Sequence, residues 1–278
     1  MDTWIAELQP GQLVLDLGSG VGSFPLSRFG CAVVLVDEDQ DAFRLELAES
    51  AWPRHRLIAR SDHLPIASQS CDLIICHHSL EHVVDLAPTL AEIARVLKTT
   101  GRLFVSVPNG YGLCDATYRY LFDGGGHVNR FKRRDLVGLI EGSVNVRLVR
   151  WQRLYSSFAY LRRLMVLLEN KPAGLDGRLA RMSARDIPRL EKAQRFLCRW
   201  TRRFDRVFRT HLAEYGWAFF FESRGDGAVV EQPGYWNVCM RCGRGTPASE
   251  IRPISRTNYA CPSCSFENPF YRVGRNAL

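Results

Sequence analysis

Short apolar runs alternate along the first half of the chain with stretches whose apolar positions recur every three or four residues. Val14 to Leu17, Ala32 to Val36, Arg56 to Ala59, Asp72 to Cys76 and Arg102 to Val107 have the composition of strands covered on both faces. Gln40 to Ser50 and Leu86 to Leu97 lie between them with helical spacing. Strands and helices in alternation predict an α/β fold, a parallel sheet with helices on both sides. A helix over Lys132 to Glu141, a strand near Asn145 to Gln152 and a last strand at Trp217 to Glu222, WAFFFE, extend the pattern. Residues 1 to 11 offer at most one short helix, and residues 110 to 130, rich in glycine and tyrosine, read as a long loop over the carboxyl edge of the sheet.

The first strand runs into Gly18, Gly20 and Gly22. Glycines at this density permit a tight turn that brings the backbone N–H groups against a ligand before a helix expected to start near Ser23. The spacing is G-x-G-x-G, which departs from the G-x-G-x-x-G of dinucleotide sites, and Asp16 stands two residues before the first glycine. An acid there repels a pyrophosphate and suits a ligand that carries an ammonium and a sulfonium, the description of S-adenosylmethionine. Asp37 and Glu38 end the second strand, where a carboxylate can accept both ribose hydroxyls.

DLGSGVG at 16 to 22, VDED at 36 to 39, LP at 64 to 65, CDLIICHHSLEHV at 71 to 83, VLKTTGRLFVSVPN at 96 to 109 and GHVNRFKRRDL at 126 to 136 occur in that order. Together they resemble the class I S-adenosylmethionine-dependent methyltransferases, in particular the small-molecule branch of ubiquinone and menaquinone methylases, from about residue 12 to 223. The resemblance implies a Rossmann-like sheet with a helical insert before its last strand. It further implies that Asp16, Gly18, Ser19, Gly20 and Gly22 hold the methionine end of the cofactor, Asp37 and Glu38 the ribose, and Ser61, Asp62, His63 and Leu64 the adenine. His77 would line the cofactor cleft through its backbone. Related sequences usually place an acid four residues before the Leu-Pro pair, against the adenine amino group. Arg60 stands there, which leaves Asp62 either to take that contact or to shape the loop.

The net charge of +8 is unevenly distributed, with fifteen Lys and Arg against six Asp and Glu between Trp151 and Tyr215. This segment, an insert over 155 to 215, carries apolar-basic helical patterns at Tyr155 to Leu168 and Pro188 to Leu212. The second pattern suits a helix packed on the domain with a solvated basic face, a helix lying on an anionic membrane surface, or one that meets RNA phosphates. No apolar run approaches the roughly 20 residues of a membrane span. The N-terminus has neither a basic start nor an apolar core, so the expected location is cytoplasmic, with peripheral membrane contact through the insert.

Of nine cysteines, Cys31, Cys71, Cys76, Cys114 and Cys198 fall mostly in apolar surroundings and are expected to be reduced and buried. Cys239, Cys242, Cys261 and Cys264 form two C-x-x-C pairs eighteen residues apart, the spacing of a four-cysteine zinc ribbon over 235 to 272. Four thiolates close the coordination sphere, so the expected zinc is structural. Such a module serves as a staple or lid, or binds nucleic acid or a partner.

Methyl transfer often needs a base, and histidine suits that task near neutral pH. His127, at the end of the triplet Gly124 to Gly126, is the candidate base, with loop anchoring as its other role. His78 and His82, flanking Glu81, are expected to be structural. The resulting expectation is a methyltransferase domain over 1 to 154 and 216 to 224 that acts on a small-molecule or lipid-linked acceptor. The alternatives are an RNA methyltransferase, although no N-P-P-Y or D-P-P-Y follows the fourth strand, and a non-catalytic scaffold that keeps the fold.

Overall fold

The computed structural model describes residues 1–20, 22–24, 26–39, 52–122, 124–155, 182–223, 230–238, 245–247, 251–254, 258–262 and 264–269. They fall into two compact units, one of residues 1–107, 128–151 and 217–231, the other of 108–127, 152–216 and 232–278.

The first unit is built on a sheet. Its strands β1 (Leu13–Leu17), β2 (Ala32–Asp37), β3 (Arg54–Ile58), β4 (Cys71–His77), β5 (Leu97–Pro108), β6 (Arg147–Tyr155) and β7 (Glu214–Glu222) lie in the order β3-β2-β1-β4-β5-β7-β6. Of β6 and β7, residues 147–151 and 217–222 belong to this unit. The pairs β1/β2, β2/β3, β1/β4 and β4/β5 are parallel, with Leu17 opposite Val36 and Asp16 opposite Ile75. Sequential order reverses between β1 and β4, and ligands of open parallel sheets bind at such a point, outside the carboxyl ends of the strands.

Helices α2 (Leu86–Val96) and α4 (Arg133–Ser143) supply Leu90, Ile93, Leu136 and Ile140 to a core that includes Leu15, Ile74, Val105, Phe219 and Phe221, all buried. Each large apolar side chain so buried contributes about 1.5–3 kcal/mol. The N-terminal helix α1 (Asp2–Ala6) is short, as expected, and sets Trp4 edge-on to Phe220, ring centroids 5.1 Å apart. Cys31, Cys71 and Cys76 are buried here, and burial pushes their thiols up, Cys71 to about 11. They are inert packing groups.

Several boundaries differ from expectation. Strand β5 starts at Leu97, so Lys98 to Gly101 extend it and the preceding helix ends at Val96. In place of a helix near Ser23, a 3-10 turn spans Leu26–Arg28, and the helix expected at 40 to 50 lies outside the described residues.

The second unit contains α3 (Leu113–Leu121) within the stretch expected to be loop. Cys114 is buried at helical spacing from Leu121, Thr117 Oγ1 donates to the Leu113 carbonyl, and Asp115 pairs with Arg119 one turn on. The glycines and tyrosines around this period hid it. Helix α5 (Ile187–Phe208) packs Ile187, Leu190 and Leu197 with residues of α3. It stops before the expected Leu212. Arg209 takes φ +52°, and Asp205 accepts hydrogen bonds from the backbone N–H groups of Leu212 and Ala213, turning the chain back. Of the first insert pattern, Tyr155 ends β6 and 156–181 lie outside the described residues. Strands β8 (Val230–Val238) and β9 (Gly245–Pro247) are antiparallel, as are β10 (Asn258–Ala260) and β11 (Glu267–Pro269).

Candidate cofactor cleft

The glycine turn after β1 is held by its own N–H groups. Gly18 and Ser19 donate to the Val36 carbonyl at 2.9 and 3.0 Å, and Gly20 donates to Asp37 Oδ2 at 2.7 Å. Gly22 donates to the Ser19 carbonyl at 2.8 Å, and Ser23 to Asp16 Oδ2 at 2.8 Å. Five donors of the turn are therefore committed to oxygens of the protein. A phosphate-binding turn keeps its donors for the ligand, and here the expectation that the backbone N–H groups face a ligand is replaced by an anchored turn. Gly20, at φ +52°, has open space where a β-carbon would stand.

Asp16 is buried and accepts both the N–H and the hydroxyl of Ser23, the latter at 2.6 Å. Burial, with a smaller contribution from the Asp37 charge, pushes its carboxyl up to about 6 against the lowering effect of those bonds. Its negative charge is costly where it stands, and a nearby cation would relieve that cost.

Beside the turn a cleft of about 480 Å³ opens among Gly18, Asp37, Glu38, Ser61 and Asp62 on one side and Ser79, Asp85 and Thr89 on the other. Small-ligand pockets typically measure about 300–1,000 Å³. Asp37 is aimed by Gly20 and by the Asp39 N–H at 3.0 Å, so its orientation is set before any ligand arrives. Ser61 shares a hydrogen bond with Thr89 at 3.0 Å, which ties the wall after β3 to α2. Asp62 is gripped by Arg60 at 2.6 and 2.9 Å through both carboxylate oxygens. This pair braces the loop, and Asp62 also lines the cleft.

The other candidates sit behind the cleft. Leu64 is buried and gives its N–H to Glu92, whose carboxylate, held down to about 2 by Arg95, clamps the loop to α2. His63 bonds within the loop, Nδ1 to the Asp62 carbonyl. The His77 ring is bonded to Ser106 at 2.6 Å and packed by Phe24 at 5.3 Å; burial, then the neighbouring His78, lowers its pKa well below the ordinary value. These ring contacts secure the end of β4.

Ser79, Val83, Val84, Asp85 and Thr89 line the cleft and were not foreseen. Asp85 was legible as an acid before an apolar-periodic run, and it caps α2 by accepting the Ala87 N–H. Asn129 of the GHVNRF stretch was also missed. Its side chain donates to the carbonyls of Leu80 and Val83, at 3.2 and 2.5 Å, and holds the turn that forms the far wall. His82 lines that wall, whereas Glu81 is buried.

In the second unit, His127 Nδ1 meets Asp115 Oδ1 at 2.7 Å, and Tyr118 stacks on the imidazole with centroids 4.6 Å apart. Arg119 bonds Asp115 and also the His127 carbonyl. Burial alone would push the Asp115 carboxyl up; the hydrogen bonds from His127 and Arg119, with the Arg119 charge, outweigh it and hold the group below the ordinary range. Asp115 is thus an anion that accepts the Nδ1 proton of His127.

Residues 15–105, from β1 into β5, match the family described as methyltransferase domain. This segment is similar to methyltransferase domains. Over 101 residues the domain region is 35% identical to the demethylmenaquinone methyltransferase of Thermobifida fusca, covering 34% of this chain and 43% of that protein. Over 114 residues it is 32% identical to the ubiquinone biosynthesis O-methyltransferase of Thiobacillus denitrificans, covering 38% and 49%. The chain spans less than half the length of these curated relatives. A solved chain of Anabaena variabilis, described as a methyltransferase of an antibiotic biosynthesis pathway, is similar in fold, with TM-score 0.54 and 14% identity over 79% of this chain and 94% of that one. The matched segment thus contains the glycine turn, both acids and the walls of the cleft.

Proposed function

We propose that the chain transfers the methyl group of S-adenosylmethionine to a small-molecule or lipid-linked acceptor. The observation that carries this reading is the glycine turn, whose donors are spent on Val36, Asp37, Ser19 and Asp16 beside a cleft edged by Asp37 and Glu38. A site with acids at its edge and no turn N–H offered among the described residues favours a cationic nucleoside over a phosphorylated one. Asp37 and Glu38 accept the ribose hydroxyls, and Ser61 with the loop anchored by Leu64 borders the base. The cofactor supplies a methyl carbon made electrophilic by a sulfonium. The protein aligns the acceptor and takes up its proton, which we assign to His127 Nε2, oriented through Asp115.

Calorimetric titration of the full chain tests the reading. S-adenosylmethionine should bind, while NAD and ATP at the same concentrations give no heat. Binding of the phosphorylated ligands, or no binding of S-adenosylmethionine at millimolar concentration, would refute it.

Asp16 adds a pH dependence. Its carboxyl in the fold titrates near 6, above the ordinary 3.8, so in the free protein it takes up a proton as pH falls through about 6. A cation favours the ionised form, so affinity for the cofactor should hold above that pH and weaken below it, by up to about tenfold per unit. Asp16→Asn should flatten this profile. A wild-type affinity constant from pH 7 to 5 would show that Asp16 does not sense the ligand.

For the tail, the proposal is a structural zinc ion on Cys239, Cys242, Cys261 and Cys264. Cys261 and Cys264 stand in the turn between β10 and β11, with Cys261 buried and its N–H bonded to the Phe266 carbonyl. Cys239 and Cys242 lie outside the described residues, between β8 and β9, whose ends Val238 and Gly245 are paired. The Cys261 and Cys264 turn joins two antiparallel strands as a zinc knuckle does, and closed thiolate coordination would make the metal structural.

A further inference from the structure

Helix α5 buries polar side chains and exposes aromatic ones. Gln194, Thr201 and Asp205 are 6, 0 and 5% exposed, whereas Phe196, Trp200 and Val207 are 63, 42 and 69% exposed. The inward polar groups have local tasks: Thr201 Oγ1 donates to the Leu197 carbonyl at 2.7 Å, and Asp205 accepts from Thr210, Leu212 and Ala213 to fasten the turn after the helix. Of the outward groups, Trp200 leans on Phe204 with ring centroids 5.3 Å apart, and it still leaves 42% of its surface open. Positions 196, 200 and 207 recur at intervals of four and seven residues, so they form one stripe along the helix.

Lys192, Arg199, Arg203 and Arg206 fall along one border of that stripe, and all are exposed. Asp205, the acid of this part of the helix, points inward. A solvated basic face would carry the cations without the aromatics. Phosphates of RNA would be met by the arginines and bases would stack on the aromatic rings, yet Val207, 69% exposed, has no ring for a base to stack on. An aliphatic and aromatic stripe edged by cations matches the boundary of a bilayer, where acyl chains take the apolar groups, Trp prefers the headgroup level, and anionic headgroups meet Lys and Arg.

We propose that α5 docks the chain on an anionic lipid surface, with Phe196, Trp200 and Val207 entering the headgroup region and Lys192, Arg199, Arg203 and Arg206 against lipid phosphates. No helix among the described residues is long and apolar enough to cross a membrane, so α5 would lie on the surface. The inference rests on this helix alone and stands whether or not the cofactor assignment does.

Flotation of the full chain with vesicles tests it. Phosphatidylcholine vesicles containing phosphatidylglycerol should retain the protein at least about tenfold better than phosphatidylcholine alone, with binding that declines as salt rises. The double variant Phe196→Ser, Trp200→Ser should lose about tenfold or more of that partition while keeping the wild-type thermal midpoint. If that variant does not fold, the conservative Trp200→Phe decides. Wild-type tryptophan fluorescence should be quenched by doxyl-labelled lipid, and Trp200→Phe should lose a large part of that quenching. Equal retention by neutral and anionic vesicles, no retention, or quenching unchanged in Trp200→Phe would overturn the proposal. So would tight binding of total RNA that Arg199→Glu abolishes and Phe196→Ser, Trp200→Ser leaves intact, an outcome that assigns the helix to nucleic acid.

Discussion

Replacing Gly18 with alanine is expected to lower the thermal midpoint by roughly 5–15 °C, from a loss of about 2–4 kcal/mol. Two costs add. At φ +67° an L side chain is in the left-handed region, and its β-carbon would stand 2.5 Å from the β-carbon of Ser79. Ser79 lies at the end of β4, and its β-carbon cannot swing aside as the end of a long side chain would. The double variant Gly18→Ala, Ser79→Gly removes the contact and leaves the backbone cost, so it should recover part of the lost midpoint. Scanning calorimetry of wild type, single and double variants separates the two contributions. A single variant as stable as wild type would mean that the turn after β1 does not approach Ser79 as described.

Asp37→Ala is expected to weaken S-adenosylmethionine binding by about 10- to 100-fold, measured by titration calorimetry. The carboxylate accepts from Gly20 at 2.7 Å and Asp39 at 3.0 Å, leaving its remaining lone pairs for the cleft. Hydrogen bonds to a charged acceptor contribute about 1.5–3 kcal/mol each, and each 1.4 kcal/mol is tenfold in affinity. Alanine removes both the contact to the sugar and the pin on the turn. Asp37→Asn keeps an oxygen for Gly20 and should fall between wild type and Ala. Unchanged affinity in Asp37→Ala would count against the place given to the ribose.

The two positions also mark how far the site was legible. Gly18 and Asp37 could be singled out because a glycine cluster and a terminal acid after buried runs are local patterns. Asp62 and Leu64 were found by the same means, but their work was not. Whether a loop side chain meets a ligand depends on what else competes for it, and Arg60 and Glu92 are the competitors. His77 shows the same limit: the histidine was visible, whereas its enclosure by Ser106, Phe24 and Phe104 depends on residues distant in the chain.

Helix α3 was missed for a different reason. It is only nine residues long, and the neighbouring glycines dilute its period. Burial of Cys114 and the Asp115–Arg119 pair stabilise it after the chain has folded. His127 was selected for its place in the sequence, while the partner that orients it, Asp115, lies twelve residues earlier on that unrecognised helix.

What the sequence alone determined is therefore the set of buried strands, their alternation with helices, the bend of three glycines and the acids at 16 and 37. Each follows from side-chain size, polarity and backbone freedom within a few neighbouring residues. Only the tertiary structure decided where the N–H groups of the bend go, which side chains enter the cleft and which face of α5 meets solvent. Those outcomes depend on hydrogen-bond acceptors and packing partners brought together from distant parts of the chain, and local spacing does not encode which competitor wins them.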